Sequence, residues 1–155
     1  MPIIPPPPDG PKQGKPSPLL GTYSYVDYSD MGGLTQFGAF TETLPPGSRS
    51  SLKHWHQNED ELIFMLNGTV ILHEGHSETP FSAGQCATFK AGTPLGHFLE
   101  NRSDQPATYF VVGTRAATDV VTYPDANCIL TLDRETGARS WQTLDGKPRQ
   151  SPYQG

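Results

Sequence analysis

Three histidines and one glutamate stand at spacings that can do metal chemistry. His54-Trp55-His56 is an HxH in a stretch that reads as a β-strand, and side chains at i and i+2 of a strand share a face. Glu61 opens the next apolar run, so a short loop can return its carboxylate to the same cluster. His97 follows a Gly/Pro turn at the start of a later strand. Three neutral imidazoles and one carboxylate make a ligand set for a first-row divalent ion, with positions left for water or substrate. Iron, manganese, nickel, zinc and copper all accept such a set. The other two histidines, in His73-Glu74-Gly75-His76, lack the spacing of an HExxH pair and are expected as solvated hairpin residues.

Short strands punctuated by turns must position these residues. Candidate strands are 35–44, 50–56, 61–67, 69–73, 79–81, 86–89, 96–101, 107–114 and 119–123, with weaker signals at 128–132 and 140–143. Asn67-Gly68 reads as a two-residue hairpin turn, since a type I′ turn needs positive φ at both centres. No amphipathic helix longer than two turns is evident. Many short strands at this spacing indicate a sandwich or barrel. Residues 1–18 hold eight of the sixteen prolines and read as a flexible Pro-rich arm. Residues 19–155 form the single remaining domain, with a polar C-terminal extension after Pro124.

The two glycine frames around the four ligand candidates resemble the motifs of the cupin superfamily. The first is similar to Gly47-x6-His54-x-His56-x4-Glu61-x6-Gly68, and the second to Gly84-x5-Lys90-x-Gly92-x4-His97-x3-Asn101. Lys90 stands where many cupins have proline, and the gaps flanking His54 and His97 are slightly long. The resemblance covers residues 34–115. It implies an all-β fold, an antiparallel double-stranded β-helix or jelly-roll barrel, with one divalent transition metal held inside by His54, His56, Glu61 and His97.

Composition fits this and excludes other classes. Gly and Pro number 16 each in 155 residues, about a fifth of the chain against a usual ~12%. Charged residues are only 17%, too few for salt-bridged helical faces. The net charge of −5 and the absence of any Lys/Arg run argue against nucleic acid and against an anionic membrane surface. No apolar run is long enough to span a bilayer, and the N-terminus lacks the charged and apolar regions of a secretory signal, so a cytoplasmic protein is expected. Cys86 and Cys128 are too far apart for a CxxC motif and are expected as buried or half-buried free thiols.

Strand parity then divides inside from outside. If the ligands point inward, so do Leu52, Ile63, Met65 and Leu99, giving a largely apolar pocket. Trp55, Leu62, Phe64, Leu66 and Phe98 would form an outer apolar set, which a homodimer would cover. The resemblance implies a metal-dependent protein acting on a small oxygen-bearing molecule. The apolar lining favours a dioxygenase-type enzyme, because water exclusion protects reactive intermediates. The alternatives are a sugar-phosphate isomerase or epimerase, with Arg49, Lys90 or Arg102 at the barrel mouth holding phosphate, and a non-catalytic small-molecule-binding cupin.

Overall fold

The computed structural model describes residues 3–153. Its thirteen strands pair only antiparallel. One sheet has six strands in the order β1 (Lys12–Gln13), β2 (Ser24–Asp27), β3 (Phe37–Leu44), β10 (Ala107–Thr114), β5 (Glu61–Asn67) and β8 (Cys86–Phe89). A three-stranded sheet runs β7 (Ser77–Ser82), β6 (Thr69–Glu74), β9 (His97–Glu100). A four-stranded sheet runs β13 (Arg139–Gln142), β12 (Cys128–Asp133), β11 (Thr118–Tyr123), β4 (Trp55–His56). Single bridges Arg49↔Glu100 and His54↔His97 stitch the two smaller sheets together. The result is a two-layered all-β jelly roll.

Alternation in β5 shows why the layers close. Ile63 and Met65 are buried, whereas Leu62, Phe64 and Leu66 are exposed. With Leu44, Tyr109 and Val111 they meet Val70, Phe81 and Leu99 from the opposite layer in one core. Each such aliphatic side chain contributes roughly 1.5–3 kcal/mol on burial. A second cluster, Val121, Tyr123, Cys128, Leu130 and Leu132, builds the C-terminal extension into the fold.

Several local expectations are corrected. β6 pairs with β7 and β9 rather than with β5, so Asn67-Gly68 is a corner between layers and not a hairpin. Only Gly68 takes positive φ there, 79°, and a Cβ on it would stand 2.9 Å from Ala107 Cα. A close backbone crossing selects this glycine, which its neighbours in sequence do not reveal. The strand expected at 50–56 survives only as Trp55–His56, since residues 51–53 bend. That bend breaks parity, and Leu52 packs on the second cluster instead of entering the pocket. The Pro-rich N-terminal stretch pairs Lys12 with Tyr25 at the sheet edge, and its first two residues lie outside the described ones. Cys128 is buried, but Cys86 is exposed on the edge strand. Among the described residues, no helix is long and apolar enough to cross a membrane.

Candidate metal centre

His54 and His56 enter the cluster from one layer and Glu61 from the other. Ligand atoms of these three lie within 4.8 Å of one another. His97, on β9, bridges to His54 through the backbone and brings Nε2 to 3.1 Å from Glu61 Oε2. Two donors sharing an ion at about 2.0–2.2 Å in cis positions stand about 3 Å apart, so this contact has the spacing of a shared cation. Three of the four residues expected as ligands, His54, His56 and Glu61, thus come together, and His97 stands beside them in contact with Glu61.

Contacts behind the rings orient them. His54 Nδ1 lies 2.9 Å from the Leu52 carbonyl and 3.1 Å from Ser51 Oγ, and His56 Nδ1 lies 2.6 Å from Asp119 Oδ2. A ring whose Nδ1–H is spent on an acceptor presents its Nε2 lone pair, the arrangement typical of metal-bound histidine. His97 is fixed differently, by stacking on Phe89 with centroids 3.6 Å apart. Its Nδ1 is buried with no hydrogen-bond partner.

The electrostatics suit a cation. Burial holds the His54 pKa down to about 4, with the neighbouring imidazoles adding to the effect against the pull of Glu61, so the ring is neutral and free to ligate. Burial opposes ionisation of Glu61, but the His97 hydrogen bond and the surrounding imidazoles outweigh it and hold the carboxyl below its usual range. At His56, burial disfavours the charge, yet Asp119, Glu61 and Glu59 together raise the pKa. The neutral His54 ring beside an ionised carboxylate fits a first-row divalent ion, and His56, whose raised pKa favours the imidazolium, must lose a proton to ligate.

A cavity of about 360 Å³ opens above the cluster. Of the expected apolar lining only Ile63 is there. Met65 and Leu99 are fully buried in the core and do not reach it. Phe40, Phe98 and Val111 supply the rest of the apolar wall, and polar groups share it: Glu42, Ser50, Ser51, Tyr109 and, at the rim, Arg115 and Arg134. The basic residues expected at the mouth lie elsewhere. Arg49 pairs with Glu100 at 3.0 Å and covers Phe98, while Arg102 grips Glu78 and Glu100. Lys90 lines a smaller cavity of about 170 Å³ that meets the cluster from the other side, beside Trp55.

Sequence reading missed six residues of this region, the rim arginines Arg115 and Arg134 among them. Asp119, the first residue of the strand expected at 119–123, is fully buried behind His56 and also accepts the Asn58 amide. Glu59 is buried and gripped through both oxygens by Arg134. Glu42 and Tyr109 pair across β3 and β10. A signal existed for Glu42, a charged residue on the face of β3 that carries Phe40 and Leu44. None existed for Asp119, because β11 reaches β4 only through folding. His73 also departs from expectation: it is buried, stacked on Phe98 at 4.1 Å and bonded to Glu100 at 2.9 Å.

Comparison with known proteins accords with this geometry. The sequence profile described as the Cupin domain matches residues 40–113. The crystal structure of a sugar phosphate isomerase of the cupin superfamily from Silicibacter pomeroyi is 38% identical, with a TM-score of 0.78, and the match covers 86% of this chain and 83% of that one. A provisionally assigned sugar phosphate isomerase from Acidithiobacillus ferrooxidans, 22% identical, superposes with a TM-score of 0.77 over 84% of this chain and 81% of its own. A predicted oxalate decarboxylase from Thermotoga maritima, 21% identical, has a TM-score of 0.58 over 68% of this chain and 92% of its own. These two show the shared fold. No curated protein sequence matches the chain. Ligand spacing, two-layered jelly roll and a relative at this identity agree, and the chain belongs to the cupin superfamily.

Proposed function

We propose that this protein is a metal-dependent isomerase of a small phosphorylated sugar, with His54, His56, Glu61 and His97 as the ligands of one divalent transition metal. The observation that carries the reading is the pair of arginines, Arg115 and Arg134, on the rim of the cavity into which the ligand cluster faces. Arg134 spends Nε and Nη2 on Glu59, and Arg115 spends Nη1 and Nη2 on Leu34, Ser29 and Asp30. Among the described residues that leaves Nη1 of Arg134 and Nε of Arg115 for a phosphate, which guanidinium groups recognise well. The 38%-identical relative, a sugar phosphate isomerase, supports the same reading. A dioxygenase drew its support from an apolar lining, which Phe40, Ile63, Phe98 and Val111 do supply in part, but the two arginines at the same cavity favour a phosphorylated substrate.

A bound divalent ion would supply polarisation of the sugar's carbonyl and hydroxyl oxygens. The protein's own groups do the rest. The rim arginines anchor the phosphate end, so the carbonyl end points down to the cluster. Ser50 and Ser51 offer hydroxyls along the wall for the sugar's own hydroxyl groups. Asp119 keeps His56 turned toward the cluster.

Elemental analysis of the purified protein and an anaerobic isomerisation assay test this reading together. We expect one equivalent of metal, lost in His56→Ala, and turnover of a sugar phosphate without oxygen. Arg134→Ala should raise KM at least about tenfold with kcat little changed, since it removes ground-state and transition-state binding alike. Substrate-dependent oxygen uptake, with no anaerobic turnover, would return the assignment to a dioxygenase.

We also propose a homodimer formed through the outer face of the six-stranded sheet. Leu62, Phe64 and Leu66 are exposed there, and in register beside them stand Val112 and Phe110 of β10. Trp55 and Phe98 do not belong to this face. Trp55 lies on β4 of the other layer, and Phe98 is covered by His73 and Arg49.

A further inference from the structure

Most buried acids of this chain have a basic partner. Glu59 has Arg134, Asp119 has His56, and Glu61 sits among imidazoles. Glu42 differs. It is only 8% exposed, and its hydrogen-bond partner is the phenol of Tyr109, itself 1% exposed. No cation pairs with it among the described residues. A buried carboxyl without counter-charge is costly, and a purely structural role would be met as well by glutamine. Both residues line the cavity that holds the ligand cluster. Glu42 also borders a second cavity of about 300 Å³, walled by Lys15, Leu20, Tyr23, Ser50 and Tyr153. It therefore stands between the reaction space and this second chamber.

We propose that Glu42, held in place by Tyr109, is the general acid/base that moves the carbon-bound proton of the sugar. This rests on the isomerase reading above. In the forward step a Glu42 oxygen takes the proton from the hydroxyl-bearing carbon next to the carbonyl. The C–H electron pair becomes the C=C bond of an enediolate, and the carbonyl π pair moves onto its oxygen. In the second step the proton goes from Glu42 to the former carbonyl carbon. One hydroxyl proton crosses from oxygen to oxygen as the new carbonyl forms, and no oxidant or reductant is consumed.

The titration of Glu42 suits the task. Burial pushes its pKa up to about 7, with the charge of Glu61 adding to the rise and the Tyr109 hydrogen bond opposing it. A base poised near neutral pH is the efficient case. The groups facing it are Tyr109 from β10, Tyr23 beside β2, Glu61 across the pocket and Lys15 from the second chamber.

The test uses metal-loaded full-length protein in D2O with erythrose 4-phosphate, ribose 5-phosphate, glucose 6-phosphate and mannose 6-phosphate. Aldose–ketose conversion, deuterium uptake at the carbon next to the carbonyl, and sugar-phosphate binding by calorimetry are read in parallel. Glu42→Gln should convert at least about a hundredfold more slowly, the usual scale of a lost acid/base, with metal content and binding unchanged. The infrared band of a protonated carboxyl, titrating near pH 7 in the wild type, should be absent from this variant. Tyr109→Phe removes the donor that lowers the Glu42 pKa, so the acid limb of its rate profile should move to higher pH. Should Glu42→Gln fail to fold, an unmoved profile in Tyr109→Phe overturns the proposal by itself. A folded Glu42→Gln that converts at the wild-type rate overturns the proposal and leaves the isomerase reading standing. Wild-type protein that carries metal yet converts none of the four overturns both.

Discussion

Asp119 Oδ2 stands 2.6 Å from His56 Nδ1, although 63 positions separate the two residues. The ladder between β4 and β11 makes the contact, with Val121 opposite His56. Asp119 thereby decides which ring nitrogen of His56 faces the cluster. Replacing it with asparagine keeps the volume but removes the charge that favours the Nδ1–H tautomer. We expect Asp119→Asn to weaken metal affinity about 10- to 100-fold, as measured by competition with a chelator of known affinity.

Glu42 makes a prediction for stability that is separate from activity. Its carboxyl ionises near 4.5 when unfolded and at about 7 in the fold. The folded state therefore binds the extra proton over that interval, and this residue's contribution to stability falls as pH rises from 4.5 to about 7. The loss is on the order of 3 kcal/mol, since each tenfold change in proton affinity is worth about 1.4 kcal/mol. Glu42→Gln should therefore melt higher than wild type at pH 8, with the difference vanishing near pH 4.5. Thermal melts at the two pH values check it.

Gly68 carries the chain from one layer to the other with φ of 79°, and a Cβ there would meet backbone at 2.9 Å. Both the left-handed conformation and the clash oppose a side chain. Gly68→Ala should cost at least about 2 kcal/mol in a urea titration, with the midpoint lowered and the slope unchanged.

The outer sheet face predicts a change of assembly state. A charge at Phe64, which lies beside Leu62 and Leu66 on one strand, would be buried against its own copy across a two-fold contact. Phe64→Glu should shift the mass in light scattering from about twice 16.9 kDa to 16.9 kDa with the melting temperature of the monomer retained. A wild-type protein already at the lower mass refutes the dimer.

The ligand candidates, the all-β class and most strand positions were legible in the sequence because their signals are local. An HxH puts two imidazoles on one face, the period-2 pattern of Glu61–Asn67 and Ala107–Thr114 marks half-buried strands, and Gly/Pro clusters mark their ends. Folding in three dimensions settled which polar groups surround that cluster. Asp119, Glu59, Arg115, Arg134, Glu42 and Tyr109 reach it through pairings between strands far apart in sequence, and no local pattern encodes such a partner. It also settled the character of the pocket. Parity placed Met65 and Leu99 on the inward side correctly, yet the inward side of a sandwich contains both a packed core and an open cavity. How deep along the strand each residue sits between the layers, a property of sheet twist and closure, determines whether it meets side chains or a substrate.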